Sequence, residues 1–484
     1  MFKKVLVANR GEIALRVFRT LREMEIASVG VYSDIDAENF CMHFADYRYP
    51  IHGSSSKDTY MNTKKIIEIA VKEKVDAVHP GYGFLSEKAE FARAIEDTGI
   101  TFIGPKSEVI AMMGNKNSAR EIAEKLNVPL VPGTNRPINN VEEALHIANE
   151  IGYPVLVKPA AGGGGKGMRI AQNNHELEAV FVQSQGLAES VFLDKSIIIE
   201  KYFPDSHHIE VQIIADKFGK VVHLGERECS IQRRFQKVIE ESPCLLISND
   251  LREKIYNYSV AIAREVDYCG AGTVEFLYSK GEIYFLEMNT RIQVEHAVTE
   301  MVTGVDIVKL QIWVAEGKPL PINQEDINVK GHAIECRIYS EDPVNNFIPS
   351  TGTITSYHIP DGIGIRVDSG VNLGFNVTHH YDPMLAKLIV IGNNRKEAIM
   401  RMRRALDEMI IEGPKTNIYY LKSIMTNKTY NEGKSNTRFL ETEHEKILEV
   451  LIKGDFWGKQ LKNREILDWL EIETKIPSLI YFNE

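Results

Sequence analysis

Apolar and polar positions follow two periods along the first part of the chain. Short apolar runs suited to buried strands occupy residues 5–8, 29–32, 77–78 and 101–104. After the first run, Ile13, Val17 and Leu21 recur at the spacing of one helix face, and residues 66–71 form part of another helical pattern. This alternation of buried strands with amphipathic helices predicts a parallel sheet with helices on both faces.

Strand-like segments dominate from about residue 115 onward. They occupy residues 155–158, 196–200, 210–214, 272–278 and 283–288, and glycine-punctuated strands run from 331 to about 395. A helical pattern covers 395–409, and the last 40 residues carry helical apolar positions at Ile447, Leu448, Val450, Leu451, Ile466, Trp469 and Leu470. We predict an α/β and α+β chain in three units, with boundaries near residues 114 and 330. A helical tail of unknown role follows at 447–484.

The composition narrows the functional classes. The 484 residues carry a net charge of −10 and 44% hydrophobic residues, with a pI near 5.9, which argues against a broadly basic nucleic-acid surface. No uncharged apolar run reaches the ~18 residues needed to span a bilayer. The apolar stretch before Asn9 is too short for a signal peptide, and the five cysteines show no zinc or iron–sulfur spacing. We expect a cytoplasmic protein that binds neither nucleic acid nor membrane.

A glycine-rich turn is the first candidate for chemistry. Residues 162–167 contain five glycines and Lys166, and Lys158 precedes them at the end of a predicted strand. Glycines let several backbone N–H groups turn toward one anion, and two lysines suit a polyphosphate. The spacing is not that of a Walker A motif. A flexible hairpin without a ligand is the alternative interpretation.

A hairpin with two glutamates is the second candidate. Glu275 and Glu287 lie six residues on either side of Gly281, so a loop of three or five residues centred there makes them direct cross-strand partners. Facing carboxylates repel unless a cation lies between them. Asn289 and Arg291 follow on the same face of a continuing strand, and the carboxylate and amide oxygens suit Mg²⁺. A two-residue turn would separate the glutamates, and an exposed hairpin face is the alternative.

The alternation continues beyond this hairpin and places Arg291, Gln293 and Glu295 together on an extended strand. An arginine beside a carboxylate can hold a small anion while the carboxylate accepts a proton. A structural ion pair explains the same pattern. Residues 233–237 add cationic groups, which alone are typical of a solvated basic stretch. These residues argue for MgATP beside a small anion that the spacing does not identify.

Other motifs carry less information. Gly11 stands alone in the first strand–helix turn, which disfavours a dinucleotide site. Residues 79–84 are typical of an ordered turn. The doublets at 207–208 and 379–380 place neighbouring histidines on opposite strand faces, so we predict surface or hydrogen-bonding roles rather than a metal site.

Six ordered motifs resemble the biotin carboxylases, the ATP-grasp components of biotin-dependent carboxylases, over residues 1 to about 445. The motifs are residues 8–14 (Ala-Asn-Arg-Gly-Glu-Ile-Ala), 79–87 (His-Pro-Gly-Tyr-Gly-Phe-Leu-Ser-Glu), 162–169 (Gly-Gly-Gly-Gly-Lys-Gly-Met-Arg), 226–234 (Glu-Arg-Glu-Cys-Ser-Ile-Gln-Arg-Arg), 287–296 (Glu-Met-Asn-Thr-Arg-Ile-Gln-Val-Glu-His) and Tyr381-Asp382. The resemblance implies a Rossmann-like preATP-grasp domain at 1–114 and an ATP-grasp domain at 115–330 with a mobile lid at about 131–203. It also implies a mixed C-terminal domain at 331–446.

The resemblance implies a reaction and a role for each matching residue. Bicarbonate attacks MgATP to give carboxyphosphate, which breaks down to CO₂ beside the ureido ring of biotin. The residues implied to bind ATP are Lys116, Lys158, Gly163, Gly164, Gly165, Glu200, Lys201, His208 and Gln232. Those implied to hold Mg²⁺ or Mn²⁺ are Glu275, Glu287 and Asn289. Those implied to act on bicarbonate and biotin are Lys237, Arg291, Gln293, Val294, the base Glu295, the enolate-stabilising Arg337 and Tyr82 near the biotin ring.

The chain departs from the family pattern at three positions. Phe235 stands where histidine is usual, and phenylalanine cannot donate a hydrogen bond worth about 1 kcal/mol to the nucleotide. Lys166 replaces a common arginine and Asn115 a common aspartate, and we expect both changes to be tolerated. We therefore expect an effect of Phe235 on ATP affinity rather than on the chemical step.

The resemblance also implies partners. No Met-Lys-Met biotinylation sequence occurs in the chain, so we infer a separate biotin carboxyl carrier protein and separate carboxyltransferase subunits. Acetyl-CoA carboxylase, and thus fatty acid biosynthesis, is the holoenzyme we predict, and the biotin carboxylase component of a two-subunit pyruvate carboxylase is the alternative. A homodimer is also implied, with Arg16, Arg19 and Arg366 as interface residues.

Two other functional classes compete with this prediction. Another ATP-grasp ligase, of the carbamoyl-phosphate synthetase type, would share the nucleotide site, but Arg337 and Tyr381-Asp382 argue against it. A nucleotide-binding regulatory subunit without turnover is motivated only by Phe235.

Overall fold

The computed structural model describes residues 1–134, 136–160, 167–192, 195–456 and 459–460. Its first unit is built on a five-stranded sheet in the order β3-β2-β1-β4-β5, in which every pairing is parallel. This confirms the parallel sheet predicted from the apolar runs. The strands, numbered in chain order, are β1 (Lys4–Val7), β2 (Ala27–Tyr32), β3 (Tyr47–Pro50), β4 (Ala77–His79) and β5 (Thr101–Phe102).

Helices cover both faces of this sheet, as the alternating pattern predicted. Val5 and Val7 pack against the Ile13, Val17 and Leu21 stripe on one face. On the opposite face, alternate residues of the same strand pack against apolar residues of the next two helices. The helices are α1 (Gly11–Glu23), α2 (Thr63–Lys72), α3 (Ala89–Glu96) and α4 (Ser107–Gly114).

A small antiparallel sheet in the order β7-β6-β8 forms part of the segment predicted as a lid. Its apolar residues pack against two helices. The glycine-rich turn, including Gly163, Gly164 and Gly165, lies outside the described residues. The elements here are α5 (Lys116–Lys125), α6 (Val141–Ile151), β6 (Val155–Pro159), β7 (Arg169–Ala171), α7 (Asn174–Phe192) and β8 (Ile197–Lys201).

An antiparallel eight-stranded sheet in the order β13-β12-β9-β10-β11-β14-β21-β19 carries the candidate site. It continues across the boundary predicted near residue 330, because β11 pairs with β14. The second and third units therefore share one sheet. Its strands are β9 (His207–Ala215), β10 (Val221–Arg233), β11 (Gln236–Ser242), β12 (Gly270–Ser279), β13 (Glu282–Asn289), β14 (His332–Tyr339), β19 (Ile365–Ser369) and β21 (Met384–Gly392).

Short strands and helices complete the described chain. The helix predicted at 395–409 is confirmed as α11. The remaining strands are β15 (Glu341–Asp342), β16 (Ile348–Pro349), β17 (Gly352–Thr353), β18 (Ser356–His358), β20 (Asn376–Val377) and β22 (Ile410–Glu412). The remaining helices are α8 (Asn249–Glu265), α9 (His296–Thr303), α10 (Ile307–Ala315), α11 (Arg395–Glu408), α12 (Ile418–Thr426), α13 (Lys428–Asn431), α14 (Phe439–Thr442) and α15 (His444–Lys453).

The predicted helical tail is confirmed only at its start. α15 buries Ile447 against the C-terminal core, with Leu448 and Leu451 beside it. A short hairpin of β23 (Asp455–Phe456) and β24 (Lys459–Gln460) follows in place of continued helix. The predicted apolar positions at Ile466, Trp469 and Leu470 lie outside the described residues. Within the described part of the chain, no helix combines the length and apolar character needed to cross a membrane.

Candidate active site

The hairpin of β12 and β13 has a tighter turn than the sequence predicted. Ser279 pairs with Glu282, which leaves a two-residue turn of Lys280 and Gly281, both with positive φ (51° and 89°). This is the backbone of a type I′ hairpin turn. The expected loop of three or five residues is therefore wrong.

A β-bulge nevertheless places the two glutamates opposite each other. The register shifts between Glu275 and Phe276, so Leu286 is an extra residue on β13 and Glu275 pairs directly with Glu287. One inserted residue moves all later side chains of a strand to the other face. The bulge thus compensates for the short turn, and Asn289 joins the same face opposite Thr273.

A row of four charged residues crosses the sheet at this level. Arg227 pairs with Glu210, Glu210 with Glu275, and Glu275 with Glu287. Three carboxylates in line repel one another unless cations balance them. Arg227 balances one end of the row, and Glu287 at the other end is exposed to solvent.

Lys237 balances the middle of the row. Its ammonium lies 2.6 Å from Glu210, 3.0 Å from Glu275 and 2.7 Å from Glu295. Burial alone would lower the pKa of Lys237, but the three carboxylates raise it well above its usual value. The lysine therefore stays charged and ties the predicted metal hairpin to the predicted base.

The donor set at the hairpin fits a divalent cation. His208 and Lys237 counteract the burial of Glu275 and lower the pKa of its carboxyl. Although the Glu287 side chain is exposed to solvent, the surrounding protein atoms limit the hydration of its carboxyl group. This desolvation and the charge of Glu275 raise the pKa of Glu287, which leaves the carboxylate short of positive charge. The amide nitrogen of Asn289 donates to Glu275 at 2.8 Å, and its amide oxygen accepts a hydrogen bond from Arg291 at 2.9 Å. Two carboxylates and an amide oxygen are hard ligands suited to Mg²⁺.

The segment after β13 differs from the predicted continuing strand. The strand ends at Asn289, and residues 290–295 form bends and turns that lead into α9. The turn aims Arg291 at Glu87 of the first unit, with Nε 3.0 Å from Oε2. Gln293 instead donates to Glu275 at 2.6 Å. The residues converge through this turn rather than through strand alternation.

Glu295 lies between two cations at the start of α9. Lys237 approaches one oxygen at 2.7 Å and Arg337 the other at 3.0 Å. Burial raises the pKa of Glu295, but Lys237 and Arg337 outweigh it, so the pKa is lowered and the carboxylate is ionised. The Val294 carbonyl accepts a hydrogen bond from Lys387 at 2.6 Å. An ionised carboxylate between two cations can accept a proton from a bound acid.

Tyr82 reaches this region from the first unit. Its hydroxyl donates to Glu12 of α1, and Lys387 lies 3.5 Å from the same carboxylate. Tyr82, helix α1 and strand β21, which are far apart in the sequence, thus meet at the buried Glu12 carboxylate.

The predicted nucleotide residues are only partly brought together. Lys158 on β6 pairs with Glu200 on β8 at 2.5 Å. Burial and the charge of Lys158 lower the pKa of Lys116. The side chain of Lys201 instead donates to the carbonyls of Gly152 and Tyr153 at 2.9 and 2.8 Å. Strand alternation accounts for this difference, because adjacent residues face opposite sides.

The other predicted nucleotide residues sit on β9 and β10. His208 lies 2.9 Å from Glu275, beside the predicted metal hairpin. Gln232 donates to the Cys229 carbonyl at 2.8 Å, next to the turn that carries Phe235. This turn is tight, because Arg234 and Phe235 both have positive φ, and the Phe235 side chain is 59% exposed.

Two residues of the candidate site, Arg227 and Glu210, are not predicted by the sequence. Arg227 is fully buried and donates to Glu210, Gln212, Thr273, Gln293 and Thr299 at 2.6–3.1 Å. Glu210 lies two residues from His208 on the same strand face, which was the available signal. Arg227 gives no such signal, because its hydrogen-bond partners lie up to 72 residues away in the sequence.

Comparisons with known proteins identify the family of this chain. The family models "Biotin carboxylase, N-terminal domain" and "Biotin carboxylase C-terminal domain" match residues 1–110 and 335–442. Between them, "Carbamoyl-phosphate synthase L chain, ATP binding domain" matches residues 115–323. Biotin carboxylase 1 of Bacillus subtilis (strain 168) is 49% identical over 444 residues, covering 91% of this chain and 99% of its own. The chain belongs to the biotin carboxylase family. The flanking models separate it from carbamoyl-phosphate synthetases.

Other relatives extend the comparison. A pyruvate carboxylase subunit of Methanothermobacter thermautotrophicus is 49% identical over 441 residues, 91% of this chain and 90% of its own. The biotin carboxylase domain dimer of Hydrogenobacter thermophilus 2-oxoglutarate carboxylase, with MgADP, ADP and bicarbonate, has a TM-score of 0.88 at 48% identity and covers 92% of this chain and 99% of its own. Membership of the biotin carboxylase family makes this chain an ATP-dependent ligase.

The arginines predicted at a biotin carboxylase dimer interface differ in their surroundings. Arg16 lies 2.8 Å from Glu300, and Arg366 lies 2.7 Å from the other oxygen of the same carboxylate. Arg19 is exposed on α1. The structure thus links two of the three predicted residues to one internal carboxylate.

Proposed function

We propose that this chain carboxylates biotin on a separate carrier protein, using ATP and bicarbonate. The observation that carries the proposal is the position of Lys237, which joins Glu275 of the metal hairpin to Glu295. Bicarbonate loses its proton to Glu295, and its oxygen then attacks the γ-phosphorus of ATP. The bond to the bridging oxygen breaks, ADP leaves, and carboxyphosphate forms and decomposes to CO₂ and phosphate beside biotin.

Each group of site residues binds a different component of the reaction. Lys116, Lys158, Glu200, Lys201, His208 and Gln232, with Gly163 to Gly165, bind ATP, while Glu275, Glu287 and Asn289 hold Mg²⁺. The Mg²⁺ ion, when bound, neutralises charge on the polyphosphate. Lys237, Arg291, Gln293 and Val294 hold bicarbonate. Arg337 stabilises the enolate form of biotin, and Tyr82 lies near its ring.

Domain organisation and assembly are part of the same proposal. We divide the chain into an N-terminal domain at 1–114, an ATP-grasp domain at 115–330 and a C-terminal domain at 331–446, which the matched family ranges support. The chain forms a homodimer, and the dimeric structure of the similar Hydrogenobacter domain supports this. It works with a biotin carboxyl carrier protein and carboxyltransferase subunits.

We propose acetyl-CoA carboxylase as the holoenzyme. The Methanothermobacter pyruvate carboxylase subunit has the same identity to this chain, 49%, as the Bacillus biotin carboxylase, so pyruvate is the second candidate acceptor. The acceptor is chosen by the carboxyltransferase, a different polypeptide. Purifying the chain with its partners and measuring carboxyl transfer to acetyl-CoA and to pyruvate tests the assignment, and transfer to pyruvate alone would refute the first choice.

Release of ADP that depends on bicarbonate tests the reaction itself. We expect free biotin to stimulate ADP release by the purified chain, because biotin consumes the CO₂ formed from carboxyphosphate. ADP release that requires bicarbonate but is not stimulated by biotin would indicate another ATP-grasp ligase. ATP binding without any turnover would indicate a regulatory role.

Replacing the proposed base gives a sharper test. Glu295→Gln keeps the shape of the side chain but cannot accept a proton, so we expect turnover to fall on the order of 10²–10⁴-fold. ATP binding, measured by titration calorimetry, should remain nearly unchanged. Glu316→Gln is a matched control, since the Glu316 side chain is also buried but bonds Phe2 and Lys318 away from the site. A Glu295→Gln enzyme with full activity would refute the assignment.

A further inference from the structure

Two buried glutamates lie next to the site without a role in the reaction described above. Glu240 on β11 and Glu335 on β14 are direct cross-strand partners, and both are completely buried. Such partners have Cβ atoms about 4.5–5.5 Å apart, close enough for their carboxyl groups to meet. Arg337 lies two residues after Glu335 on the same strand face and donates to Glu240.

The two carboxyl groups leave three oxygens without a donor. Among the described residues, no group donates to either oxygen of Glu335 or to Oε2 of Glu240. Leaving a buried carboxylate with unused acceptors costs free energy, and a facing second carboxylate adds repulsion. One proton between the two groups removes both costs, because a carboxylic acid can donate to the partner carboxylate.

The charged groups around the pair do not replace this proton. Arg337 already contacts both Glu240 and Glu295. Lys387, from β21, donates to the Val294 carbonyl and lies near Glu12 and Asp368. Burial therefore dominates, and the pKa values of Glu240 and Glu335 are both raised. The titratable and charged groups around the pair are Lys237, Arg337, Tyr339, Lys387, Glu295, Tyr82, Cys229 and Cys336.

We propose that Glu240 and Glu335 share one proton and that this acid pair positions Arg337 for biotin. Glu335 carries the proton and donates to Oε2 of Glu240, whose other oxygen holds the guanidinium. Loss of the proton would place a second negative charge beside Arg337 and weaken its stabilisation of the enolate oxygen. Both glutamates act through Arg337 and are positioning residues, and the inference rests on the function proposed above.

The pH profile of the biotin-dependent rate tests the pair. Glu335→Gln keeps a hydrogen-bond donor toward Glu240 but cannot ionise. We expect the wild-type rate to decline above neutral pH through loss of the shared proton, and this decline to disappear or move to higher pH in Glu335→Gln. A variant with full activity near neutrality and an unchanged alkaline decline would refute the proposal. Absence of biotin stimulation in the wild type would instead refute the proposed function.

Glu240→Gln tests the second half of the pair. Arg337 loses its carboxylate partner, so we expect the biotin-dependent rate to fall by about tenfold or more, equivalent to a loss of at least one hydrogen bond to a charged group. Bicarbonate-dependent ADP release without biotin should change little, since Glu295 and Lys237 remain. Equal loss of both rates would contradict a role exerted through Arg337.

A control and a spectroscopic measurement separate this role from folding. Glu241→Gln changes the next residue of β11, which faces the opposite side and pairs with Arg395, so its alkaline decline should match that of the wild type. Infrared spectroscopy of the wild type should show the carbonyl band of a buried protonated carboxylic acid. The band should disappear in Glu335→Gln, and a wild type without this band would refute the shared proton.

Discussion

Phe235 occupies a position at which we expect a single residue to affect ATP affinity. It lies in the tight turn between β10 and β11, three residues after Gln232. Because phenylalanine cannot donate a hydrogen bond, we expect Phe235→His to lower the apparent KM for ATP by roughly fivefold, the equivalent of about 1 kcal/mol, without changing kcat. Steady-state kinetics at saturating bicarbonate measure the effect.

Phe218 provides the control for this change. It is 63% exposed and lies between β9 and β10, in a turn other than the one that carries Phe235. Phe218→His should leave the apparent KM unchanged. An equal KM in Phe235→His and the wild type would remove any role of this position in ATP affinity.

Glu241 makes stability depend on pH. Arg395 contacts both of its oxygens at 2.7 and 2.9 Å, and His332 lies at 2.7 Å. Burial raises the pKa of this carboxyl, but Arg395 and the hydrogen bonds outweigh it and lower the pKa to about 2. A lowered pKa contributes stability above the unfolded-state value, and this contribution is lost as the pH falls toward 2.

Urea unfolding of Glu241→Gln measures this contribution. We expect a loss of stability of up to about 3 kcal/mol near neutral pH, and a smaller difference from the wild type at about pH 3. A difference that stays constant over this range would mean that packing, rather than the ion pair, accounts for the loss.

The β12–β13 hairpin combines two backbone features at the scale of the element. The two-residue turn alone would place Glu275 opposite Leu286, and the bulge restores Glu287 to that position. The length of the turn and the bulge therefore together determine that Glu275 pairs with Glu287, the proposed metal ligands. Neither feature can be chosen independently without moving one carboxylate to the other face.

Lys280 adopts an unfavourable backbone conformation in the turn of this hairpin. A type I′ turn prefers Asn-Gly, since asparagine tolerates the positive φ that Lys280 adopts. We expect Lys280→Asn to raise the stability of the protein by about 0.5 kcal/mol, within the range of turn substitutions, with unchanged ADP release. Lys280→Val is the opposite control, because a β-branched residue at positive φ should destabilise. Thermal unfolding that ranks valine above asparagine would contradict the turn assignment.

At the scale of the whole molecule, one continuous sheet carries groups from the second and third units, and helix α1 of the first unit adds a further group beside them. Lys237 and Glu275 come from the strands before residue 330, Arg337 and Lys387 come from those after it, and Glu12 comes from the first unit. The chemistry therefore depends on how the units are joined rather than on any unit alone.

Assembly into a dimer gives a prediction at the same scale. Arg16 and Arg366 are engaged by Glu300 within the chain, whereas Arg19 is exposed. We expect Arg19→Glu to weaken the proposed homodimer, as seen by sedimentation velocity over a range of concentrations. Lys64→Glu, on α2, is the charge-matched control. Unchanged dimerisation in Arg19→Glu would place the interface elsewhere.

The sequence by itself determined the elements and the motif-bearing segments. Periodicity located the parallel sheet of the first unit and the helix α11, because burial of one face selects apolar residues at a fixed repeat. The paired glutamates followed from symmetry about Gly281, although the turn that pairs them was mispredicted. Residue chemistry also predicted which carboxylates and cations form the site, since few side chains can bind a polyphosphate or a metal.

Only the tertiary structure decided how these groups meet. Three features depend on strand register and backbone hydrogen bonds: the bulge at Leu286, the turn after Asn289 and the orientation of Lys201 away from Glu200. These features hardly change the pattern of apolar and polar residues along the sequence, so the pattern does not predict them. Lys237 reaches Glu295 across 58 residues, and Arg227 reaches Gln293 across 66. Contacts over such separations arise from the packing of strands into one sheet. The buried pair of Glu240 and Glu335 likewise became visible only when β11 and β14 were placed side by side.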